Sequence, residues 1–217
     1  MKYVDNERGS GLVYMLWIMV SSIVICVIVL NIAKVYAVKQ QAANATQLAA
    51  LAGTSVLVNA GKDAIEAFDQ LSEAEDVILQ LEVDDGKSVG ELVDEKAQEY
   101  RNQGLARDIA YINSMNDILT PRMAAYGLLK SLVYDQIKVS NGKFNQTVRD
   151  VVKKNGGNEE RIEVSFTSDF RVEVEADVTY ESITDTAEEY IKEMTKEVPQ
   201  KGYGPSLLFL KDVTGGE

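Results

Sequence analysis

Between Leu12 and Ala33 the chain runs for 22 residues without a formally charged side chain, LVYMLWIMVSSIVICVIVLNIA. As a helix that run spans about 33 Å at 1.5 Å per residue, close to the hydrocarbon thickness of a bilayer. Ser21, Ser22 and Asn31 are its polar exceptions, and the serine hydroxyls can donate to the carbonyl one turn earlier. Tyr14 and Trp17 fall near the inner end and Tyr36 near the outer end, where amphipathic rings favour the interface. A buried core helix would more typically carry about 10–14 apolar residues. A cleaved secretory signal is the closer alternative: its apolar core runs about 7–15 residues, and small-x-small sites follow here at Val35–Ala37 and Ala43–Ala45. Lys2 and Arg8 before the run match Lys34 and Lys39 after it, so the positive-inside count is a tie. Long domains translocate largely regardless of charge. The expectation is therefore a cytoplasmic leader over 1–11, a transmembrane helix over 12–33, and an acidic α+β domain over 34–217 outside the membrane.

Helical patterning continues past the apolar run. Val38, Ala42, Ala45, Ala49, Ala52 and Val56 recur at spacings of three and four, which predicts one helix from about Ser10 to Val58 with a small-residue stripe. Ala42, Ala45, Ala49 and Ala52 are the candidate packing face, where another helix or a sheet can approach closely. Asn59-Ala-Gly61 is expected to end or kink that helix. A second helix follows in the pattern Ile65, Phe68, Leu71, Ile78, Leu81. Ser88-Val-Gly-Glu91 reads as a capping box opening a third, with Val89, Leu92, Val93, Ala97 and Tyr100 on one face. Gly104 precedes a short fourth helix carrying Leu105, Ile109 and Ile112. Thr120-Pro121 predicts an N-cap and first position for a fifth, with Tyr126, Leu129, Val133 and Ile137. Asn141-Gly142 is expected to close it, leaving Phe144, Val148 and Val151 on a further short turn.

After Asn155-Gly-Gly-Asn158 the period changes. Ile162, Val164 and Phe166 alternate with polar residues, as do Phe170, Val172, Val174, Ala176, Val178 and Tyr180. With Thr167-Ser-Asp169 between them this predicts an antiparallel hairpin, apolar on one face and carrying Glu163, Arg171, Glu173 and Glu175 on the other. Ala187, Tyr190, Ile191 and Met194 suggest a last helix, and Leu207–Leu210 an edge strand. The fold class is α+β: a long N-terminal transmembrane helix extending into a mainly helical extracellular domain with a C-terminal hairpin or small sheet.

Charge and composition narrow the function. The net charge is -12, and the first 33 residues contribute nothing to it, because Lys2 and Arg8 cancel Asp5 and Glu7. An acidic domain repels phosphate backbones, so nucleic acid is not an expected partner. There is no histidine, which removes imidazole acid–base chemistry, catalytic triads and imidazole metal sites. The single cysteine, Cys26, lies in the apolar run and can form no disulfide within the chain.

Short matches to catalytic or metal motifs do not build a site. Ser140-Asn-Gly-Lys143 fits S-x-x-K, but its companion S-D-N and K-T-G elements are missing and Asn-Gly reads as a turn. Asp84-Asp85-Gly86 has the look of a calcium loop, yet Leu81 stands where the first ligand belongs. Solvated surface carboxylates are the expectation there, for Glu73, Glu75 and Asp76, and for Glu159 and Glu160. No catalytic residue, metal site or cofactor is expected.

The most informative stretch is Glu7-Arg8-Gly9-Ser10-Gly11-Leu12-Val13 entering the apolar run, then Asn31, Lys34 and Tyr36, Asn44-Ala45, and Ala49-Ala50-Leu51-Ala52-Gly53. Over about residues 7–54 this resembles the N-terminal region of TadE/TadG-like proteins, the minor pilin-like components of tight-adherence (Flp) pilus systems. The resemblance implies a leader peptidase acting at Gly9–Ser10. In a chain so cut, the position that carries a glutamate in prepilins is Tyr14. TadG-like members carry a D-x-S-x-S metal motif, which this sequence lacks, so the match is closer to the TadE type. It implies a non-enzymatic minor pilin-like protein of the bacterial cell membrane, with other pilin-like subunits, assembly-platform proteins and lipid as partners. A membrane-anchored extracellular sensor or ligand-binding module, working through a membrane partner, is the alternative.

Overall fold

A computed structural model describes residues 8–71, 73–157, 161–176 and 199–214, apart from the side chains of 8–10, 212 and 214. The leader before Arg8, Glu159 and Glu160, the strand end at Val178 and Tyr180, and the helix expected over Ala187–Met194 lie outside those residues.

Helix α1 runs unbroken over Arg8–Asp69, 62 residues or about 93 Å. The break expected at Asn59–Gly61 is corrected: Ala60, Gly61, Ala64, Ile65 and Phe68 carry the buried stripe onward, and Ile65 and Phe68 belong to this helix. A glycine inside a helix costs about 1 kcal/mol relative to alanine, less than the roughly 1.5–3 kcal/mol that burying each large apolar side chain contributes. Gly61 is also where Met115 and Phe209 close on the helix.

Four helices follow: α2 (Glu75–Val83), α3 (Val89–Asn102), α4 (Arg107–Ala125) and α5 (Gly127–Lys154). The capping box opens α3 as expected: Ser88 Oγ accepts from Glu91 N–H and the Glu91 carboxylate accepts from Ser88 N–H. The Thr120 cap is corrected. Helix α4 runs through Pro121 to Ala125, and the break falls at Tyr126. Asp76 of α2, 52 residues earlier in the chain, accepts from Leu128 N–H at the start of α5. That carboxylate satisfies one of the unpaired amides at the helix start. Asn141-Gly142 does not end α5 either. Leu129, Val133, Phe144, Val148 and Val152 form one buried stripe on it, whereas Gly142 faces open space.

The hairpin forms as expected. Strands β1 (Ile162–Phe166) and β2 (Arg171–Ala176) are antiparallel, with Ile162 opposite Ala176 and Phe166 opposite Val172. Val172, Val174 and Ala176 are buried. A third strand, β3 (Gln200–Ser206), pairs antiparallel with β2 and makes the far edge of a three-stranded sheet. The edge strand is thus the glycine-containing segment before Leu207, and the apolar run itself is corrected to a 3-10 turn (Leu208–Leu210) leading into α6 (Lys211–Thr214). Buried Asn116 of α4 holds that run: its Nδ2 donates to the Ser206 carbonyl and its Oδ1 accepts from Phe209 N–H. The core is centred on the upper half of α1, with Phe68, Met115, Leu119, Leu129 and Phe209 fully buried around it.

Candidate functional site

The two halves of α1 have opposite environments. Its large apolar side chains from Leu12 to Ile32 are 40–74% exposed, and none of the most apolar 18-residue window is buried by the rest of the chain. This helix is long and apolar enough to cross a membrane. A core helix would show the same composition buried.

From Ala42 upward the same helix is the spine of the head. Ala42, Ala45, Ala49 and Ala50 are buried, while Val38 and Ala52 are half-buried. Strand β3 lies against this stripe at closest range. A Cβ on Gly202 would overlap the backbone of Thr46 and Gln47, and one on Gly204 would overlap Thr54 Oγ1. Small residues on both surfaces therefore let a strand lie on helix backbone. The hydroxyls buried there are satisfied inside the helix, Thr46 Oγ1 donating to the Ala42 carbonyl and Thr54 Oγ1 to the Ala50 carbonyl. Gln47 acts as a substitute strand partner: its Nε2 donates to the Tyr203 carbonyl and its Oε1 accepts from Tyr203 N–H. On the other side Gly53 admits α5, since an added Cβ would come within 2.8 Å of the Phe144 ring and 3.0 Å of Val148.

Gly9 and Ser10 sit in the first turn of α1, four to five residues below exposed Tyr14. Ser140 and Lys143 lie in mid-α5 rather than on a turn. Among the described residues no group of three or more His, Cys, Asp or Glu could hold a metal ion. Asp84 departs from the solvated expectation. Arg122 grips its carboxylate from α4, Nε to Oδ2 at 3.1 Å and Nη2 to Oδ1 at 2.5 Å, and Gln80 Nε2 donates to Oδ2. Burial alone would push this carboxyl up, but the bonds from Arg122 and Gln80 and the guanidinium charge outweigh it and hold it below 3.8. Asp69, at the end of α1, accepts from the N–H groups of Val89 and Gly90 and so caps α3 beside its own capping box. Partners 20, 38 and 52 residues apart left no local signal for these carboxylates.

A groove of about 880 Å³ separates α1 from α3 and α4, with Leu51, Val58 and Ile65 on one wall and Ile109 and Ile112 on the other. Its rim mixes Lys62, Arg101 and Arg107 with Glu66, Asp94 and Asp108. Tyr111 lies in it, its phenol pushed up to about 12 by burial and by the charges of Asp94 and Glu66.

A single helix that is bare over one half and is the core of a compact head over the other defines a class: a head protein carried on an apolar helical stem. Residues 9–60 match the family model described as putative Flp pilus-assembly TadE/G-like, a stretch that lies wholly within α1. No curated protein and no solved structure matches the chain.

Proposed function

We propose that the protein is a non-enzymatic, membrane-anchored, pilin-like component that helps assemble or initiate a Flp/Tad-type pilus or a related secretion apparatus. The observation that carries this is α1: the family-matched stretch joins the bare apolar segment to the head core without a break. In this reading residues 12–33 sit in the bacterial cell membrane, 1–11 remain in the cytoplasm, and the chain from Lys34 onward faces outward. The leader is cut between Gly9 and Ser10. Other pilin-like subunits and platform proteins pack laterally on α1. Since Ala42, Ala45 and Ala49 are covered by the chain's own head, those neighbours meet the stem below Ala42 and, at the level of the head, half-buried Ala52 beside exposed Leu48 and Leu51. Close packing of helices in lipid rests on shape rather than on a hydrophobic driving force.

Deleting the gene should abolish or sharply reduce surface pili counted by electron microscopy. The full-length chain should restore them, and a chain with Ile23, Val24 and Val27 changed to Lys should not. Unchanged piliation overturns the reading. N-terminal determination on protein purified from its own cells tests the processing step separately: a chain starting at Ser10 supports it, and an intact Met1 leaves a plain anchor.

A further inference from the structure

The sheet has two edges, and only one of them is blocked. On β3 the backbone of Tyr203 points away from β2, and Gln47 of α1 takes both its N–H and its carbonyl. Pro205, two residues on, has no N–H to offer. On β1 the bond from Thr167 N–H to the Arg171 carbonyl sets the alternation. Ser165 and Glu163 are then the residues that exchange bonds with β2. Ile162, Val164 and Phe166 turn their N–H and carbonyl groups outward. Among the described elements only β2 pairs with β1. No proline, lysine or bulge guards it, the usual devices against a further strand. Its inner row is also left uncovered: Ile162 and Val164 are half-buried, and Phe166, stacked on Phe144 of α5, is 44% exposed.

Charge and symmetry say which strand fits. Exposed Glu163 sits directly opposite Glu175, and like charges so placed repel. Lys201 holds Glu173 and Glu175 from the β3 side, at 2.6 and 3.2 Å. Among the described residues Glu163 forms no ion pair. We propose that β1 receives an extended segment of another protein, its apolar residues beside Ile162, Val164 and Phe166 and a lysine or arginine beside Glu163. A second copy of this chain does not fit. Antiparallel pairing of two β1 edges needs a two-fold axis normal to the sheet. Strand β3 runs along α1, Gly202 lying against Thr46 and Gln47 and Gly204 against Ala50 and Thr54. That axis therefore points the two stems in opposite directions, which one bilayer cannot hold. Parallel pairing turns one sheet over and sets Glu163 of one copy in the apolar row of the other. Excluding the second copy rests on the membrane reading given above; the open edge does not.

The test uses the full-length protein with vesicles of neutral phosphatidylcholine. Flotation reports the anchor, and anisotropy of labelled peptides reports the edge. A short peptide alternating valine and lysine should bind at least about ten-fold tighter than one alternating valine and glutamate. Two further lysine peptides are N-methylated, one on its valine amides and one on its lysine amides. One should lose about ten-fold or more in affinity and the other should not, because only alternate amides of an added strand face β1. Glu163→Lys should shrink the preference for the lysine peptide by about three-fold or more. Val164→Pro, which spends an N–H that β2 does not use, should abolish binding; if it unfolds the head, the exposed Glu163→Lys change still decides. No binding of the lysine peptide, equal binding of the two methylated forms, or a preference that Glu163→Lys leaves unchanged overturns the proposal. Flotation without peptide binding removes this proposal alone, and peptide binding without flotation removes the membrane reading alone. In cells, a photo-crosslinker at exposed Ser165 should join a different protein through a segment alternating apolar residues with lysine or arginine. Adducts only with another copy of this chain, or only within the chain itself, overturn it.

Discussion

An alanine at position 202 would press its Cβ into the backbone of α1 at Thr46 and Gln47, which no side-chain rotation can relieve. Gly202→Ala should therefore destabilise the head by about 3 kcal/mol, the upper end of the range for overpacking, read as a fall in the midpoint of urea unfolding. Gly142→Ala makes the opposite case: it faces open space on α5 and should stabilise by about 0.4–1 kcal/mol. Asp84 offers a pH-dependent test at the same scale. Its folded-state pKa lies below 3.8, so the contribution of the Arg122 pair is complete above that value and is lost as pH falls through the lowered one. Asp84→Asn should cost about 1.5–3 kcal/mol at pH 7, the range for hydrogen bonds to charged groups. The gap between variant and parent should close below about pH 3.8 in parallel thermal melts, in line with proton linkage.

Helices show themselves in sequence through the spacing of apolar residues, and α3 with its capping box was legible down to its first residue. What that spacing does not carry is where a helix stops, when the stop is decided by a distant group. Asn59–Gly61 and Asn141–Gly142 look like terminators in isolation, yet each pair is overridden by a buried stripe that continues past it. Thr120 looks like a cap, but its Oγ1 is buried with no partner, and the start of α5 is satisfied by Asp76. Strand β3 was illegible for a different reason: Gly202 and Gly204 mark a surface that α1 touches, so its inward face has no apolar side chains to alternate. For the stem, 22 uncharged residues sufficed to predict a long apolar helix, while the alanine stripe showed that a helix or a sheet could approach closely without showing that the chain's own strand β3 would cover it. The remote caps can be tested at this scale. Asp69→Ala should cost about 1 kcal/mol, a typical value for a lost helix cap, and raise hydrogen exchange at Val89 and Gly90 while α5 stays protected. Asp76→Ala should do the same at Leu128 and leave α3 unchanged.

For the whole molecule, what matters is where the stem ends and the head begins. A chain beginning at Val38 keeps every residue of α1 that is buried among those described and should fold as a soluble acidic protein. One beginning at Thr46 loses Ala42, Ala45 and the Gln41 bond to the Asn155 carbonyl, and should be about 2 kcal/mol less stable, or roughly 4–8 °C lower in Tm. Equal melting of the two would show that the head does not depend on those turns. The unbroken α1 also acts mechanically. With residues 12–33 in a bilayer, as proposed, the part from Ala33 to Asp69 would be a lever about 54 Å long in a helix that is unbroken over its whole length. A lean of about 20°, ordinary for a helix accommodating bilayer thickness, would swing the far end sideways by roughly 18 Å. Thickness of the surrounding lipid would thereby set how far the head can reach.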